Sequence, residues 1–98
     1  MVLLGWGSTL EVVREALGRI KRTDILYLHH SQPYPLHEIS IKHIKRAEKR
    51  IVIEGNATGQ FARLVRSETG IEVDGKILKY NGLQFSVEEV TERLCELL

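Results

Sequence analysis

Residues 50–65, RIVIEGNATGQFARLV, decide the fold of this chain. They start with a short apolar run that ends at Glu54, continue through a polar corner, and resume an apolar pattern near Phe61. A short run that is apolar throughout is typical of a strand buried on both faces of a parallel sheet. The spacing from Gly59 onward is typical of an amphipathic helix. The stretch therefore predicts a strand, a tight loop and a helix, in that order.

The same alternation extends along the whole chain, which we interpret as a single domain spanning residues 1–98. Short apolar runs occupy residues 2–6, 25–30 and 51–54. Helical patterns occupy residues 8–20, 36–49, 59–69 and 86–98. Apolar strands separated by helices predict a three-layer α/β/α domain with a mostly parallel sheet. In such sheets the loops that leave the carboxyl ends of the strands gather at one edge, where ligands bind.

Local signals set the expected helix starts and one expected turn. Ser8 with Glu11, and Ser86 with Glu89, match the capping box that begins a helix. Pro35 suits the first position of the second helix. Asp-Gly at residues 74–75, between two β-rich runs, predicts a hairpin and an antiparallel ribbon.

Composition limits the classes of function. Net charge is +1, from 14 basic and 13 acidic residues, which argues against a nucleic-acid-binding protein. The chain has no long apolar run and no recognisable signal peptide, so we expect neither a membrane span nor secretion, and a cytoplasmic location. A low content of Asn and Gln favours a thermophilic source weakly.

A metal site is not indicated. Cys95 is the only cysteine and lies in an apolar C-terminal pattern, where a packing role is expected. His29, His30, His37 and His43 include no pair at the i, i+4 spacing that is typical of helical zinc ligands. We therefore expect these histidines at the surface or in packing.

The first candidate site is GWGSTL, residues 5–10, between a strand and a helix. Backbone N–H groups of Gly7, Ser8 and Thr9 could hold an anion there. The dinucleotide fingerprint needs a glycine where Leu10 stands, so that motif fails. The alternative is structural: Gly7 permits the turn and Ser8 caps the helix.

The second candidate site is EGNATGQ, residues 54–60. The glycosylation sequon at Asn56 has no use in a chain without a secretory signal. Glu54 could act as a general base, but no second catalytic group can be assigned. We favour a structural corner in which Asn56 shapes the loop, Thr58 or Gly59 begins the helix, and Glu54 has a hydrogen-bond donor nearby. The docking candidates are Glu54, Asn56, Thr58, Gly59 and Gln60.

Four segments together resemble a known family. LLGWGSTLEVVREAL, PYPL, IVIEGNATGQFARLVRSETG and KYNGLQFS are similar, in order and spacing, to the C-terminal domain of the α subunit of 2-oxoacid:ferredoxin oxidoreductases. The 2-oxoglutarate type is the most similar. The resemblance covers nearly the whole chain, and Glu-x-Asn-x-x-Gly-Gln at residues 54–60 is its most specific part.

The resemblance implies a fold like the transketolase C-terminal domain, with a mixed sheet of about five strands. It implies an enzyme that decarboxylates a 2-oxoacid oxidatively with coenzyme A and uses thiamine diphosphate, magnesium and iron–sulfur clusters. It also implies a β subunit and ferredoxin as partners. This chain has no Gly-Asp-Gly motif for thiamine diphosphate and no cysteine cluster, so we expect none of these cofactors to bind it.

Three hypotheses follow. The first is a structural and assembly domain of such an enzyme, without catalytic residues of its own. The second is an autonomous module that binds a small molecule or anion through Gly7, Ser8, Asn56 and Thr58. The third is a hydrolase that acts through Glu54.

Overall fold

The computed structural model describes residues 1–30, 36–55, 60–79 and 85–98. The strands are β1 (Val2–Trp6), β2 (Leu26–His30), β3 (Arg50–Glu54) and β4 (Gly75–Leu78). The helices are α1 (Leu10–Ile20), α2 (Glu38–Arg46), α3 (Gln60–Thr69) and α4 (Val87–Leu97), and a short 3₁₀ turn (Gly7–Thr9) precedes α1. Within these ranges, no helix has the length and apolar character needed to span a membrane.

The strands form one sheet in the order β2-β1-β3-β4, and every neighbouring pair is parallel. The predicted α/β class with a parallel sheet is therefore confirmed. The described part of the chain contributes four strands, all parallel, whereas the resemblance implied about five in a mixed sheet.

Helices cover both faces of the sheet, as the apolar strands predicted. Alternate strand residues such as Leu3 and Ile51 pack with α1 and α4 in one core. The intervening residues, such as Leu4 and Val52, pack with α2 and α3 in a second core. All four are fully buried, because a strand sends successive side chains to opposite faces.

The predicted hairpin at residues 74–75 is wrong. Gly75 begins β4, which pairs parallel to β3, and the preceding residues 71–73 belong to no strand. Asp74 instead ties the two strand starts together: its N–H donates to Arg50 O at 2.8 Å, and its Oδ2 accepts from Arg50 N at 2.7 Å. The Asp-Gly pair therefore starts a strand rather than turning between two.

Two helix starts also differ from the predictions. The N-cap of α1 is Thr9 rather than Ser8, because the 3₁₀ turn delays the helix, and Thr9 makes no side-chain capping bond. Helix α2 begins at Glu38 with His37 as N-cap, beyond the position that Pro35 predicted, and Pro35 itself lies outside the described residues. The Ser86 capping box of α4 is confirmed in both of its hydrogen bonds.

Candidate functional site

Three strand ends bring polar and aromatic side chains into one row at the carboxyl edge of the sheet. Trp6 pairs with His30 in the register of β1 and β2. Gly5 pairs with Ile53, so the next step of the register places Trp6 beside Glu54. Trp6 packs against the α2–α3 core, and the two-residue period of strands sends the side chains of this row to that same face. We call His30, Trp6 and Glu54 the edge row.

Glu54 caps helix α3 from the end of the preceding strand. Its Oε1 accepts a hydrogen bond from the backbone N–H of Phe61 at 2.9 Å, and the side chain is fully buried. The first N–H groups of a helix have no partner within the helix, and a carboxylate there is favoured by the helix dipole. The expected donor near Glu54 is therefore confirmed, and the EGNATGQ corner is closed by its own first residue.

Burial dominates the protonation equilibrium of Glu54. Loss of water raises the pKa of its carboxyl above the usual value. The hydrogen bond from the Phe61 N–H acts in the opposite direction, as do the nearby Trp6 indole and the N–H of Ala62. The net pKa of the Glu54 carboxyl is raised, so the nearby donors offset only part of the cost of burying its charge.

Two buried polar atoms in the edge row lack partners. Within the described part of the chain, neither Trp6 Nε1 nor Glu54 Oε2 makes a hydrogen bond. The indole lies close enough to lower the pKa of Glu54, but the two groups do not meet the distance and angle of a hydrogen bond. Each unsatisfied buried group costs roughly 1–3 kcal/mol, and most such groups in native proteins have partners.

A small cleft opens beside these atoms. It has a volume of about 250 Å³ and is lined by Trp6, Gln60, Phe61 and Leu64. Phe61 donates to Glu54 and Trp6 neighbours it, so the Glu54 carboxyl lies against two of the four lining residues. Three of the four lining side chains are therefore apolar or aromatic, and the Glu54 carboxyl accepts from the backbone of one of them, Phe61.

His30, at the other end of the row, is held as a neutral imidazole. Its Nδ1 lies 3.2 Å from Gly5 O, which can only accept, so Nδ1 carries the proton. Its Nε2 therefore accepts from the hydroxyl of Ser40 at 2.8 Å. Burial lowers the pKa of His30, and the bond to Gly5 O opposes that shift. The ring also packs against Phe61, with centroids 5.3 Å apart.

A second polar chain lies on the opposite face of the same edge. The Thr9 hydroxyl donates to Trp6 O at 3.2 Å, so its oxygen is left to accept from Tyr27 OH at 3.3 Å. Tyr27 OH in turn lies 2.7 Å from His29 Nδ1. A Cβ on Gly5 would stand 2.5 Å from Tyr27 OH, so these hydrogen-bonded side chains require glycine at residue 5.

The structure places the predicted residues of the first candidate site as follows. Gly7 is exposed with a φ of +73°, a conformation that glycine adopts without strain. Ser8 lies in the 3₁₀ turn. Thr9 is buried and its hydroxyl donates to Trp6 O; anion binding by the backbone N–H groups of this turn stays a prediction.

The second candidate site is only partly described. Glu54 is buried behind α3, and Gln60 is the exposed first residue of that helix. Asn56, Thr58 and Gly59 lie outside the described residues. Gln60 lines the cleft with Trp6, and Glu54 is bonded to the backbone of Phe61, the residue after Gln60.

Sequence reasoning did not single out Trp6 or Ser40, and it expected His30 at the surface or in packing, where the structure shows it buried against Phe61. Trp6 and His30 are each the last residue of an apolar run, the position that faces the carboxyl edge of a parallel sheet. That position was the available signal for both. Ser40 carried none, because its pairing with His30 depends on how α2 packs on the sheet.

No metal centre is formed by the described residues. They contain no group of three or more His, Cys, Asp or Glu side chains able to hold a metal ion. Cys95 is exposed on α4, whereas a packed position was expected for it.

A buried parallel sheet with a polar edge row and a small cleft defines an α/β domain with a candidate site at the carboxyl edge. No protein-family model matches the chain. The chain is 32% identical, over 99% of its length, to the α subunit of 2-oxoacid:ferredoxin oxidoreductase 1 from Sulfurisphaera tokodaii. It is 28% identical, over its full length, to the α subunit of 2-oxoacid:ferredoxin oxidoreductase 1 from Aeropyrum pernix.

A solved structure is also similar. It is the 2-oxoglutarate:ferredoxin oxidoreductase from Magnetococcus marinus with 2-oxoglutarate, coenzyme A and succinyl-CoA bound, which matches 97% of this chain with 28% identity and a TM-score of 0.80. The chain is thus homologous over its whole length to a portion of the α subunit of 2-oxoacid:ferredoxin oxidoreductases. It spans about 16% of the length of the curated relatives that it matches.

Proposed function

We propose that the chain is the C-terminal domain of a 2-oxoacid:ferredoxin oxidoreductase α subunit, of the 2-oxoglutarate type, and that its role is structural. The observation that supports this most is homology along 99% of the chain to an α subunit of which the chain spans 16%. The activity, an oxidative decarboxylation of a 2-oxoacid with coenzyme A, belongs to the whole assembly. Its location is cytoplasmic.

The carboxyl edge of the sheet is the docking surface in this proposal. The edge row leaves two polar atoms without partners within the described chain, and a surface that is completed by another part of an assembly accounts for them. Glu54 is fully buried, with one oxygen engaged by the helix. A carboxyl in that position serves as an anchor better than as a general base, so the hydrolase hypothesis loses support.

The cofactors of the assembly are assigned to other parts of it. An iron–sulfur cluster takes several thiolate ligands, and the chain has Cys95 alone. Magnesium prefers carboxylates in octahedral geometry, and the described ranges hold no cluster that fits. These residues do not fit the metal groups. We assign thiamine diphosphate and coenzyme A, like the metals, to the remaining domains and the β subunit, where ferredoxin is reduced.

Calorimetry on the 98-residue chain tests whether the cofactors bind outside it. Thiamine diphosphate with Mg²⁺, coenzyme A and inorganic phosphate are titrated separately. We expect no heat of binding from any of them. Micromolar binding of phosphate or coenzyme A would favour the autonomous anion-binding module, and micromolar binding of thiamine diphosphate would place catalytic machinery in this chain.

The role of residue 56 is tested by assembly. Asn56→Ala is expected to cost the chain about 1 kcal/mol of stability, the usual value of one hydrogen bond, and to weaken its capture of the remaining enzyme. A variant that assembles normally but has lost turnover would show instead that the corner is catalytic.

A further inference from the structure

Two buried polar atoms without partners in the described chain lie behind the walls of the cleft beside Trp6. Trp6 Nε1 is a donor only, and Glu54 Oε2 in the ionised carboxylate is an acceptor only. Both lack partners within the described residues, and Glu54 is fully buried. The two groups lie on neighbouring strands, since the register that pairs Gly5 with Ile53 places Trp6 beside Glu54. A group that satisfies both must offer one acceptor and one donor side by side.

We propose that this cleft receives the carboxamide side chain of an Asn or Gln residue from the remainder of the oxidoreductase assembly. The amide oxygen accepts from Trp6 Nε1, and the amide nitrogen donates to Glu54 Oε2. This deepens the proposed function and rests on it, since it names the chemistry of the partner at the docking edge. Trp6 is partly buried as a residue, but its Nε1 is fully buried, so its ring must rotate when the group enters.

Size separates an inserted side chain from a small-molecule ligand. The cleft measures about 250 Å³, which is below the roughly 300–1,000 Å³ of typical small-molecule sites. Its walls are the rings of Trp6 and Phe61, the aliphatic Leu64, and Gln60. Such walls suit the methylene groups of one Asn or Gln side chain, whose polar end then reaches the base.

The source of that side chain follows from the length of the relatives. The chain corresponds to about 16% of the α subunit that it resembles, so most of such a polypeptide lies outside it and is available to cover this edge. An unpaired donor and acceptor that are buried together favour a partner that is present permanently rather than one that exchanges with water.

A pair of matched probes tests the donor and acceptor pattern. Propionamide and 2-butanone have the same shape and differ only in that an amino group replaces a methyl group. Each is titrated into the isotope-labelled 98-residue chain to about 0.3 M, because so small a ligand has few atoms with which to gain affinity. Trp6 is the only tryptophan in the chain, so its indole N–H gives a single NMR signal.

We expect propionamide to shift the Trp6 Nε1–H and Phe61 N–H signals, with an affinity roughly tenfold higher than that of 2-butanone, the usual value of one charge-assisted hydrogen bond. Glu54→Gln should abolish this preference, because the glutamine amide keeps the bond to Phe61 but turns a donor toward the ligand. Tyr27→Phe, which removes a hydroxyl from the opposite face of the same edge, should leave the preference unchanged.

Equal affinities for the two probes, or no shift with either in a folded chain, would overturn the inference. So would a Glu54→Gln variant that retains the wild-type preference while its other signals show the native fold. The probes report on the cleft alone. If neither probe binds as expected but the chain still assembles into an active oxidoreductase, the proposed function stands without this contact. If the probes bind as expected but the chain does not assemble, only the assembly role is rejected.

Discussion

Glu54 Oε1 and the backbone N–H of Phe61 meet at 2.9 Å, so the last residue of β3 caps the helix that follows it. The bond closes the EGNATGQ corner across seven residues and fixes the direction in which α3 leaves the sheet. The same carboxyl has a second oxygen without a partner in the described chain. Glu54 thus caps α3 with one carboxyl oxygen and leaves the other oxygen, at the sheet edge, without a partner among the described residues.

The first prediction concerns the capping bond. Glu54→Ala should lower the free energy of unfolding by about 2 kcal/mol, because it leaves the buried Phe61 N–H without an acceptor. Glu54→Gln should cost less than half as much, since the amide oxygen still accepts that bond. Urea melts of both variants measure the difference. Glu68→Ala, an exposed change on the same helix, is the control and should have almost no effect; equal losses for Ala and Gln at residue 54 would contradict the cap.

The second prediction is a pH dependence with a definite sign. Burial raises the pKa of Glu54 above its ordinary value of 4.5, so the folded state binds this proton more tightly than the unfolded state. The stabilisation from this group is therefore fully present below the ordinary pKa and is lost as pH rises through the raised value. The unfolding free energy of the wild type minus that of Glu54→Gln should fall between low and neutral pH. A difference that rises with pH would mean that the donors outweigh burial.

The third prediction tests the packing at Gly5. Gly5→Ala should destabilise the fold by roughly 1–3 kcal/mol, the usual cost of overpacking, because the new Cβ would stand 2.5 Å from Tyr27 OH. In the Tyr27→Phe background that atom is absent, so the same change should cost clearly less. Thermal melts of the four proteins in this double-mutant cycle give the coupling. Additive losses would show that the contact with Tyr27 OH is not what excludes a side chain.

The fourth prediction concerns the start of α4. Ser86 Oγ accepts from Glu89 N at 3.1 Å, and the Glu89 side chain returns a bond to Ser86 N. Ser86→Ala should cost about 1 kcal/mol in a urea melt. Ser67→Ala, an exposed change inside α3, should be neutral or slightly stabilising because alanine favours helices. Equal effects at the two serines would argue against the cap.

Sequence patterns predicted the fold class and the donor beside Glu54, because each rests on local chemistry. A short run that is apolar throughout, such as residues 51–53, is typical of a strand inside a covered sheet, and a buried carboxylate at its end needs a donor. The same local chemistry failed at residues 74–75. An Asp-Gly pair permits a hairpin, but here the Asp74 side chain accepts a hydrogen bond from the Arg50 N–H. Arg50 is 24 residues away along the chain, so only the packed structure provides that partner.

The edge row could not be assembled from sequence for a related reason. Trp6, His30 and Glu54 become neighbours only when the strand order and register are known. The shift from Ser8 to Thr9 at the start of α1 accompanies an inserted 3₁₀ turn, in which the Thr9 hydroxyl also lies 3.3 Å from Tyr27 OH on the neighbouring strand. Contacts across strands set these details, and spacing along the chain does not record them.

Affinity purification of the tagged chain, expressed in its source cell, tests the central claim most directly. The purified material is assayed for ferredoxin reduction with 2-oxoglutarate and coenzyme A, beside the same assay with pyruvate. The account predicts that the tag recovers an assembly much larger than 98 residues, which reduces ferredoxin and prefers 2-oxoglutarate. A chain that purifies alone, from material with no 2-oxoacid-dependent reduction of ferredoxin, would contradict it.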